Sequence, residues 1–195
     1  MIDPIPGGNR VSRATRTVGR AAWLILPVVL GGLGHVAVLK TDLLRSLAVP
    51  LDGGARWRGR PVFGANKTWR GIVVMTGSTA LASGAQAALT RRLRWRSALE
   101  MEDSARLNAW AVGAVYGLIY CVAELPNSFV KRRLGIAPGA RAMRGAWLQY
   151  LVDQADSVVG CLIPLRLLYG SSGGELMTAL VLGLAIHIAI DTARA

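Results

Sequence analysis

Two aspartates, Asp153 and Asp156, lie within the apolar stretch WLQYLVDQADSVVGCLIPL. Carboxylates are costly inside a membrane-spanning helix, where they usually face a polar cavity, a partner or a bound ion. At positions i and i+3 they share one helix face, a spacing that suits Mg²⁺ bound together with substrate phosphates. We therefore predict a ligand or metal role for both. The alternative is an internal ion pair with an arginine such as Arg70 or Arg132.

A glycine-rich basic stretch, RWRGRPVFGANKTWRG, runs from Arg56 to Gly71. Glycine lets backbone N–H groups approach anionic oxygens, and lysine and arginine supply charge, so such a loop can bind phosphates. It leads into a predicted helix, whose N-terminus favours an anion. It is not a Walker A loop, because Asn66 precedes Lys67 where that motif has glycine. A polybasic loop that contacts lipid head groups is the alternative.

A third polar stretch, ELPNSFVKRR, begins at Glu124. On a helix, Glu124, Ser128 and Lys131 fall on one face and place a carboxylate, a hydroxyl and an ammonium group in a line near the membrane surface. Pro126 is expected to end or kink that helix. Basic anchors at the end of a span explain the three basic residues at 131–133, but they do not explain Glu124.

The elements that position these groups are predicted to be membrane-spanning helices. The chain has 195 residues, of which 52% are hydrophobic and 17% are charged, a profile outside the usual range of soluble domains. Roughly 20 apolar residues span the hydrocarbon layer as a helix. Five segments approach that length: 21–39, 71–90, 108–125, 147–169 and 174–192.

We therefore predict an all-α integral membrane protein in which residues 1–195 form a single membrane domain of about five transmembrane helices. Residues 1–19 are predicted to be a flexible basic N-terminal arm. Small residues within the spans suit close helix packing; the glycines concerned are Gly77, Gly84, Gly113, Gly117 and Gly183. His187, four residues before Asp191, is expected to hydrogen-bond to it at a helix end.

The charge balance indicates the partners and the orientation. The net charge of +12 favours phosphates and anionic lipid head groups, whereas the long apolar runs argue against nucleic acid. With five spans, the loops at 40–70 and 126–146 share a side with the C-terminus. That side carries more lysine and arginine, so the positive-inside rule places these loops in the cytoplasm of a multi-pass cell-membrane protein.

Taken in order, the three polar stretches resemble the CDP-archaeol synthase family, which is related to the phosphatidate cytidylyltransferases. The family blocks correspond to Phe63, Gly64, Lys67, Thr68, Trp69, Arg70 and Gly71, to Ser128, Phe129, Lys131, Arg132, Arg133, Leu134 and Gly135, and to Asp153, Gln154 and Asp156. Two positions depart from the pattern. Glu124 stands where an aspartate is expected, and His35 where an asparagine is expected.

The resemblance implies CTP and a membrane lipid phosphate as substrates and Mg²⁺ as cofactor. It implies metal binding by Asp153, Asp156 and Glu124, and a catalytic set of Lys67, Arg70, Lys131, Asp153 and Asp156. The substrate-binding residues would be Gly64, Asn66, Lys67, Thr68, Trp69, Arg70, Ser128, Lys131, Arg132 and Arg133.

We therefore predict a nucleotidyltransferase, a CTP:lipid-phosphate cytidylyltransferase that forms a CDP-activated lipid and pyrophosphate in phospholipid biosynthesis. Two alternatives stay open. A CTP-dependent polyprenol or lipid kinase would release CDP instead of pyrophosphate, and a polybasic membrane scaffold or transporter would bind no nucleotide. An ether-linked isoprenoid glycerol phosphate, phosphatidate and another prenyl phosphate are all open as the lipid substrate.

Overall fold

The computed structural model describes residues 12–93, 108–140 and 145–193. Within these ranges it contains five long helices: α1 (Arg13–Lys40), α2 (Trp69–Leu93), α3 (Ala109–Arg133), α4 (Ala146–Tyr169) and α5 (Gly173–Thr192). The loop between α1 and α2 holds a short 3-10 turn, Arg45–Leu47, and an antiparallel hairpin of β1 (Arg56–Trp57) and β2 (Arg60–Pro61). The predicted all-α membrane fold is confirmed.

Four of the helices in the described ranges, α1, α2, α3 and α5, are long and apolar enough to cross a membrane. α4 has 24 residues, hence a length of about 36 Å at 1.5 Å per residue, but it carries Asp153, Asp156 and Arg166. Large apolar side chains cover its outer surface, where Ile163 is 55% and Leu167 is 75% exposed. α4 thus combines the length and lipid-facing surface of a span with the polar residues of a site.

The five helices form a closed ring in which each packs against the next and α5 returns to α1. Glycines let α3 approach the backbone of α2. A Cβ at Gly113 would lie 2.5 Å from the Thr79 carbonyl oxygen, and one at Gly117 would lie 2.5 Å from that of Met75. This is the close packing predicted from small residues. Gly77 does not take part, because a Cβ there would meet no atom within 4 Å.

α1 begins eight residues before its predicted start at 21. Ser12 caps it by accepting a backbone N–H at 3.1 Å, so residues 13–19, predicted to belong to a flexible arm, are helical. The next residue, Arg20, donates to the carboxylate of Glu175 on α5 at 2.8 Å. Hydropathy predicts only the apolar part of α1, from residue 21, and therefore does not predict that the polar residues 13–20 are helical as well. Residues 1–11 of the predicted arm lie outside the described residues.

α3 continues eight residues beyond its predicted end at 125, through Pro126 to Arg133. Proline removes one backbone hydrogen bond from a helix, but α3 packs against α2 on one side and α4 on the other, which holds it in place. The polar residues that follow Pro126 therefore stand on a helix that faces its neighbours rather than in a loop.

Hydrogen bonds from the end of α3 hold the hairpin in place. Arg133 donates to the backbone carbonyl oxygens of Trp57 at 2.7 Å, Arg60 at 3.2 Å and Pro61. Its guanidinium lies 4.8 Å from the ring centre of Phe129, against which Trp57 also packs. The loops after α1 and α3 thus lie at one end of the ring, as predicted; we call it the site end, and the opposite end the far end.

Candidate active site

The predicted aspartates face α3 at the site end. Asn127 donates from its amide nitrogen to an oxygen of Asp153 at 2.7 Å and to an oxygen of Asp156 at 2.8 Å. Lys131 contacts both oxygens of Asp153, at 2.9 and 2.8 Å. Two residues at i and i+3 on α4 thus meet two residues at i and i+4 on α3. We call these four residues the acid–amide cluster.

The two carboxylates have further partners on their own helix. Asp156 accepts the backbone N–H of Ser157 at 2.6 Å, and Asp153 accepts from the side chain of Gln149 at 3.2 Å. The side chains of Asp153 and Lys131 are 28% and 16% exposed, so the ion pair is largely buried. An internal ion pair, the alternative to a ligand role, does exist, but its partner is Lys131 rather than Arg70 or Arg132.

Glu124 lies one turn before the cluster on α3 and forms an ion pair with Lys67 from the basic loop. Nowhere in the described ranges do three His, Cys, Asp or Glu side chains lie close enough to hold a metal ion. Glu124 therefore does not form a three-carboxylate group with the two aspartates in this arrangement. Its role as a metal ligand stays a prediction.

The basic loop is ordered by Asp52. Its carboxylate accepts the backbone N–H groups of Phe63 at 2.9 Å, Gly64 at 3.2 Å and Gly54 at 3.0 Å. Burial works to raise the pKa of Asp52, but these three hydrogen bonds outweigh it and hold the pKa below its ordinary value of 3.8. The loop then passes into α2, whose first turn Thr68 caps by accepting the N–H of Gly71 at 3.3 Å.

Arg132 is 3% exposed, and its Nε and Nη1 have no hydrogen-bond partner in the described part of the chain. Gly64 of the basic loop lies against it. A Cβ at that position would be 3.5 Å from Arg132 Nε and 2.9 Å from Pro138, and the backbone there has φ of +97°. Only glycine suits this position. A buried guanidinium with free N–H groups favours an anion beside it.

Two other predicted substrate-binding residues have structural partners. Arg70 donates to Asp42, in the loop after α1, at 2.8 Å. Arg133 donates to the three hairpin carbonyl oxygens described above. Of the remaining predicted residues, Asn66 and Trp69 are exposed and Ser128 is buried on α3. The structure thus brings Lys131 into direct contact with Asp153, and Asn127 links Asp153 to Asp156. Lys67 contacts Glu124, which lies one helical turn before Asn127.

A polar chain continues from the cluster into the ring. His187 on α5 contacts Gln154 through Nδ1 at 2.7 Å and Tyr120 through Nε2 at 2.8 Å. The Gln154 oxygen can only accept, so Nδ1 carries the proton and Nε2 accepts from the Tyr120 hydroxyl. The expectation that His187 bonds to Asp191 is wrong, because both ring nitrogens face these other partners.

Asn127 is the candidate site residue that the sequence did not predict. The signal was present, since Asn127 lies four residues before Lys131 and therefore shares its face on any helix that passes through this segment. The expected break at Pro126 concealed that relation. Gln154 and Tyr120 gave no comparable signal, because their link through His187 joins three different helices.

The chemistry of the acid–amide cluster fits a hard divalent cation. A single amide nitrogen lies within hydrogen-bond distance of oxygens from both carboxylates, and an ammonium ion bridges the two oxygens of one of them. Carboxylate and amide oxygens are the protein ligands that Mg²⁺ accepts, and it takes only one or two carboxylates when substrate phosphates complete its shell. The donor set therefore matches the predicted cofactor.

Comparisons with known proteins agree on one family. A family model described as CDP-archaeol synthase, CarS-like, matches residues 18–193. A CDP-archaeol synthase from Halobacterium salinarum is 32% identical over 184 residues, which cover 88% of this chain and 88% of that protein. One from Hyperthermus butylicus is 31% identical over 126 residues, which cover 63% of this chain and 61% of the relative's own length.

A solved structure described as an intramembrane enzyme for archaeal membrane lipids biosynthesis has a similar fold. Its TM-score against this chain is 0.63 at 24% identity, and the superposition covers 90% of this chain and 94% of that one. The likeness supports the five-helix arrangement.

Proposed function

Because the chain belongs to the CDP-archaeol synthase family, we propose that it transfers the cytidylyl group of CTP to the phosphate of a membrane lipid. An oxygen of the lipid phosphate bonds to the α-phosphorus of CTP, and the bond from that phosphorus to the oxygen leading to the β-phosphate breaks. The products are a CDP-activated lipid and pyrophosphate. The observation that carries the proposal is the acid–amide cluster beside a basic loop at one end of a membrane bundle.

Such a reaction asks the protein mainly to align the attacking and leaving oxygens and to neutralise charge. Arg132 supports this role, because its two unpartnered N–H groups would be satisfied by phosphate oxygens. We propose that Lys131 and Arg132 bind the lipid phosphate or pyrophosphate. Lys67 and the N–H groups of the ordered loop around Gly64 would bind the triphosphate.

We propose that Asp153 and Asp156 hold Mg²⁺, with the Asn127 amide turned to present its oxygen. When bound, the metal would neutralise charge on the phosphates and orient them. Hydrogen bonds from Asn127 and Lys131 keep the two carboxylates close to each other. A bound cation would replace these hydrogen bonds.

Both lysines of the site are paired with carboxylates, Lys67 with Glu124 and Lys131 with Asp153. A phosphate group offers each ammonium a second anionic partner. We expect Lys131 in particular to move to phosphate when a cation takes its place on Asp153, which would make phosphate binding stronger in the presence of the metal.

The remaining predicted residues receive narrower roles. Arg70 can bind the triphosphate only by leaving or sharing its contact with Asp42. We propose that Arg133 positions the hairpin rather than the substrate, because its donors are taken by backbone carbonyls. The site end would face the cytoplasm, which supplies CTP.

The test is an assay of the purified protein with labelled CTP, Mg²⁺ and a panel of lipid phosphates and lipid alcohols. The panel contains an ether-linked isoprenoid glycerol phosphate, phosphatidate and a prenyl phosphate, each supplied in detergent micelles. We expect a labelled CDP-lipid and pyrophosphate in equal amounts. Release of CDP with a phosphorylated lipid alcohol would identify a kinase instead. If calorimetry detects no CTP binding at all, the scaffold or transporter alternative would be favoured.

A further inference from the structure

A cavity lies inside the helix ring, between α1, α3, α4 and α5. Its volume is about 580 Å³ when the space open to the surroundings is counted with it. We call it the central cavity. Its wall includes Val28 and Gly32 on α1, Leu162 on α4, and Ala179, Gly183 and Ile190 on α5.

The wall of the central cavity is apolar with three exceptions. Tyr120 and His187 are hydrogen-bonded to each other and, through His187, to Gln154. The hydroxyl of Tyr116 is buried without a partner among the described residues. An ordered water needs two to four polar partners, and this wall offers one free hydroxyl. The chemistry therefore favours a hydrocarbon occupant over water.

Along α4 the cavity wall starts close to the acid–amide cluster, at Val158, two residues beyond Asp156. Tyr120 and His187 belong to this wall, and His187 contacts Gln154, the direct neighbour of Asp153 in the chain. From Ile190 the wall follows α5 back to Ala179, a distance of about 16 Å at 1.5 Å per residue. One leaflet of a bilayer has a hydrocarbon depth of about 15 Å. The cavity wall thus has about the length of one leaflet.

We propose that the central cavity binds one hydrocarbon chain of the lipid substrate, whose phosphate lies at the acid–amide cluster. This inference rests on the proposed function. A second copy of the protein is not the occupant, because the cavity lies inside the ring rather than on its outer face. A polar cofactor is not the occupant either, since the wall gives it almost no hydrogen-bond partners.

Gly32 offers a direct test. It lines the cavity, and a Cβ added there would meet no atom within 4 Å, so the side chain of Gly32→Leu starts in open space at the cavity wall. Gly77→Leu is the matched control. It makes the same change in the middle of α2, where a Cβ also meets no atom within 4 Å and the residue is exposed and does not line the cavity.

The measurements are the KM for the lipid phosphate with the highest turnover in the panel, the KM for its short-chain analogue, and binding of both lipids by calorimetry. For Gly32→Leu we expect the KM and the dissociation constant of the long-chain lipid to rise about tenfold, the effect of excluding roughly two methylene groups from apolar contact. The values for the short-chain lipid and for CTP should stay unchanged, as should all values for Gly77→Leu. Val28→Phe, from the same wall, should repeat the result.

Long-chain binding by Gly32→Leu and Val28→Phe that equals the wild type would overturn the inference. So would an equal loss for long and short chains, or an equal loss in Gly77→Leu. Failure of the proposed function looks different: the wild type would then form no CDP-lipid from any member of the panel. The calorimetric comparison of chain lengths would still decide whether the cavity binds a hydrocarbon chain.

Discussion

Each end of the helix ring carries a largely buried ion pair. The two pairs differ in the kind of hydrogen-bond partners that their charged groups have. At the far end, Glu175 accepts from Arg20 at 2.8 Å through one oxygen, while its other oxygen accepts the N–H of Ser172 at 2.7 Å and its hydroxyl at 3.1 Å. Arg20 also donates to the carbonyl oxygen of Tyr169 at 3.2 Å. Both oxygens of Glu175 thus have neighbours on the chain, and of the Arg20 nitrogens only Nε is buried without a hydrogen-bond partner among the described residues. The capping box at Ser172 and Glu175 begins α5.

At the site end, the acidic groups are held mainly by side chains that can rotate away, apart from the backbone N–H of Ser157, which Asp156 accepts. Lys131 and Asn127 are the partners of Asp153 and Asp156 across the α3–α4 contact. Two nitrogens of the nearby Arg132, Nε and Nη1, have no hydrogen-bond partner among the described residues. A buried polar group that is unsatisfied, or satisfied only by an exchangeable partner, costs stability. From this difference we expect the far-end pair to stabilise the fold and the site-end groups to serve a ligand.

The largest expected effect is on activity at the site end. Asp153→Asn keeps the size of the side chain and removes its charge, so we expect CTP- and Mg²⁺-dependent transfer to fall by at least about a thousandfold. The protein should still fold, with a modest fall in the thermal midpoint, because the amide oxygen can still accept from Asn127 and Lys131 although Lys131 loses its charged partner. Initial rates and thermal unfolding in detergent measure the two quantities. Activity equal to that of the wild type would remove Asp153 from the site.

Arg132→Met should lower activity without lowering stability, whereas replacing a structural residue should lower stability without lowering the activity of the folded protein. We expect turnover to fall about a hundredfold, because a group that contacts phosphate is lost. The thermal midpoint should stay the same or rise, since a buried guanidinium with two unpartnered N–H groups is replaced by an apolar side chain of similar length. A clear drop in the midpoint would show that Arg132 stabilises the fold, and would break the contrast between the two ends.

Glu175→Gln makes at the far end the isosteric change that Asp153→Asn makes at the site. We expect it to lower the free energy of unfolding by roughly 1–3 kcal/mol, because the Arg20 guanidinium loses its charged partner. The specific activity of the folded protein should be unchanged. Adding Arg20→Met to this variant should cost little more, since two members of one pair are not additive. Loss of activity without loss of stability would place the far-end pair in the catalytic machinery.

Hydropathy and glycine content predicted the fold well because both follow from the bilayer. Spans must be about 20 residues and apolar, and close packing needs small residues, so the centres of all five helices and the glycine contact at Gly113 were accessible from sequence. The start of α1 and the end of α3 were not. Both depend on tertiary partners, Arg20 with Glu175 in one case and packing around Pro126 in the other.

The same distinction holds for the candidate site. Asp153, Asp156 and Lys131 were predictable because helical spacing puts each on a defined face and a charge inside a span demands a partner. Asn127 was within reach of the same reasoning once α3 is continuous. The structural roles of Arg133 and Asp52 depend on backbone groups of a hairpin and a loop, and spacing along the chain carries no information about these contacts.

Asp52 provides the smallest and most specific test, because it is a satisfied carboxylate, like Glu175, that lies at the site end. Its lowered pKa means that its contribution to stability is present above the unfolded pKa of about 3.8 and is lost as the pH falls through the folded pKa.

Asp52→Asn cannot accept all three backbone N–H groups equally well, so we expect it to lower the free energy of unfolding by on the order of 1 kcal/mol at neutral pH and to raise the KM for CTP a few-fold. Thermal midpoints of both proteins between pH 3 and pH 7 should differ at neutral pH and converge in acid. A difference that does not shrink in acid would show that the charge of Asp52 is not what orders the loop, and an unchanged KM would show that the loop does not bind CTP.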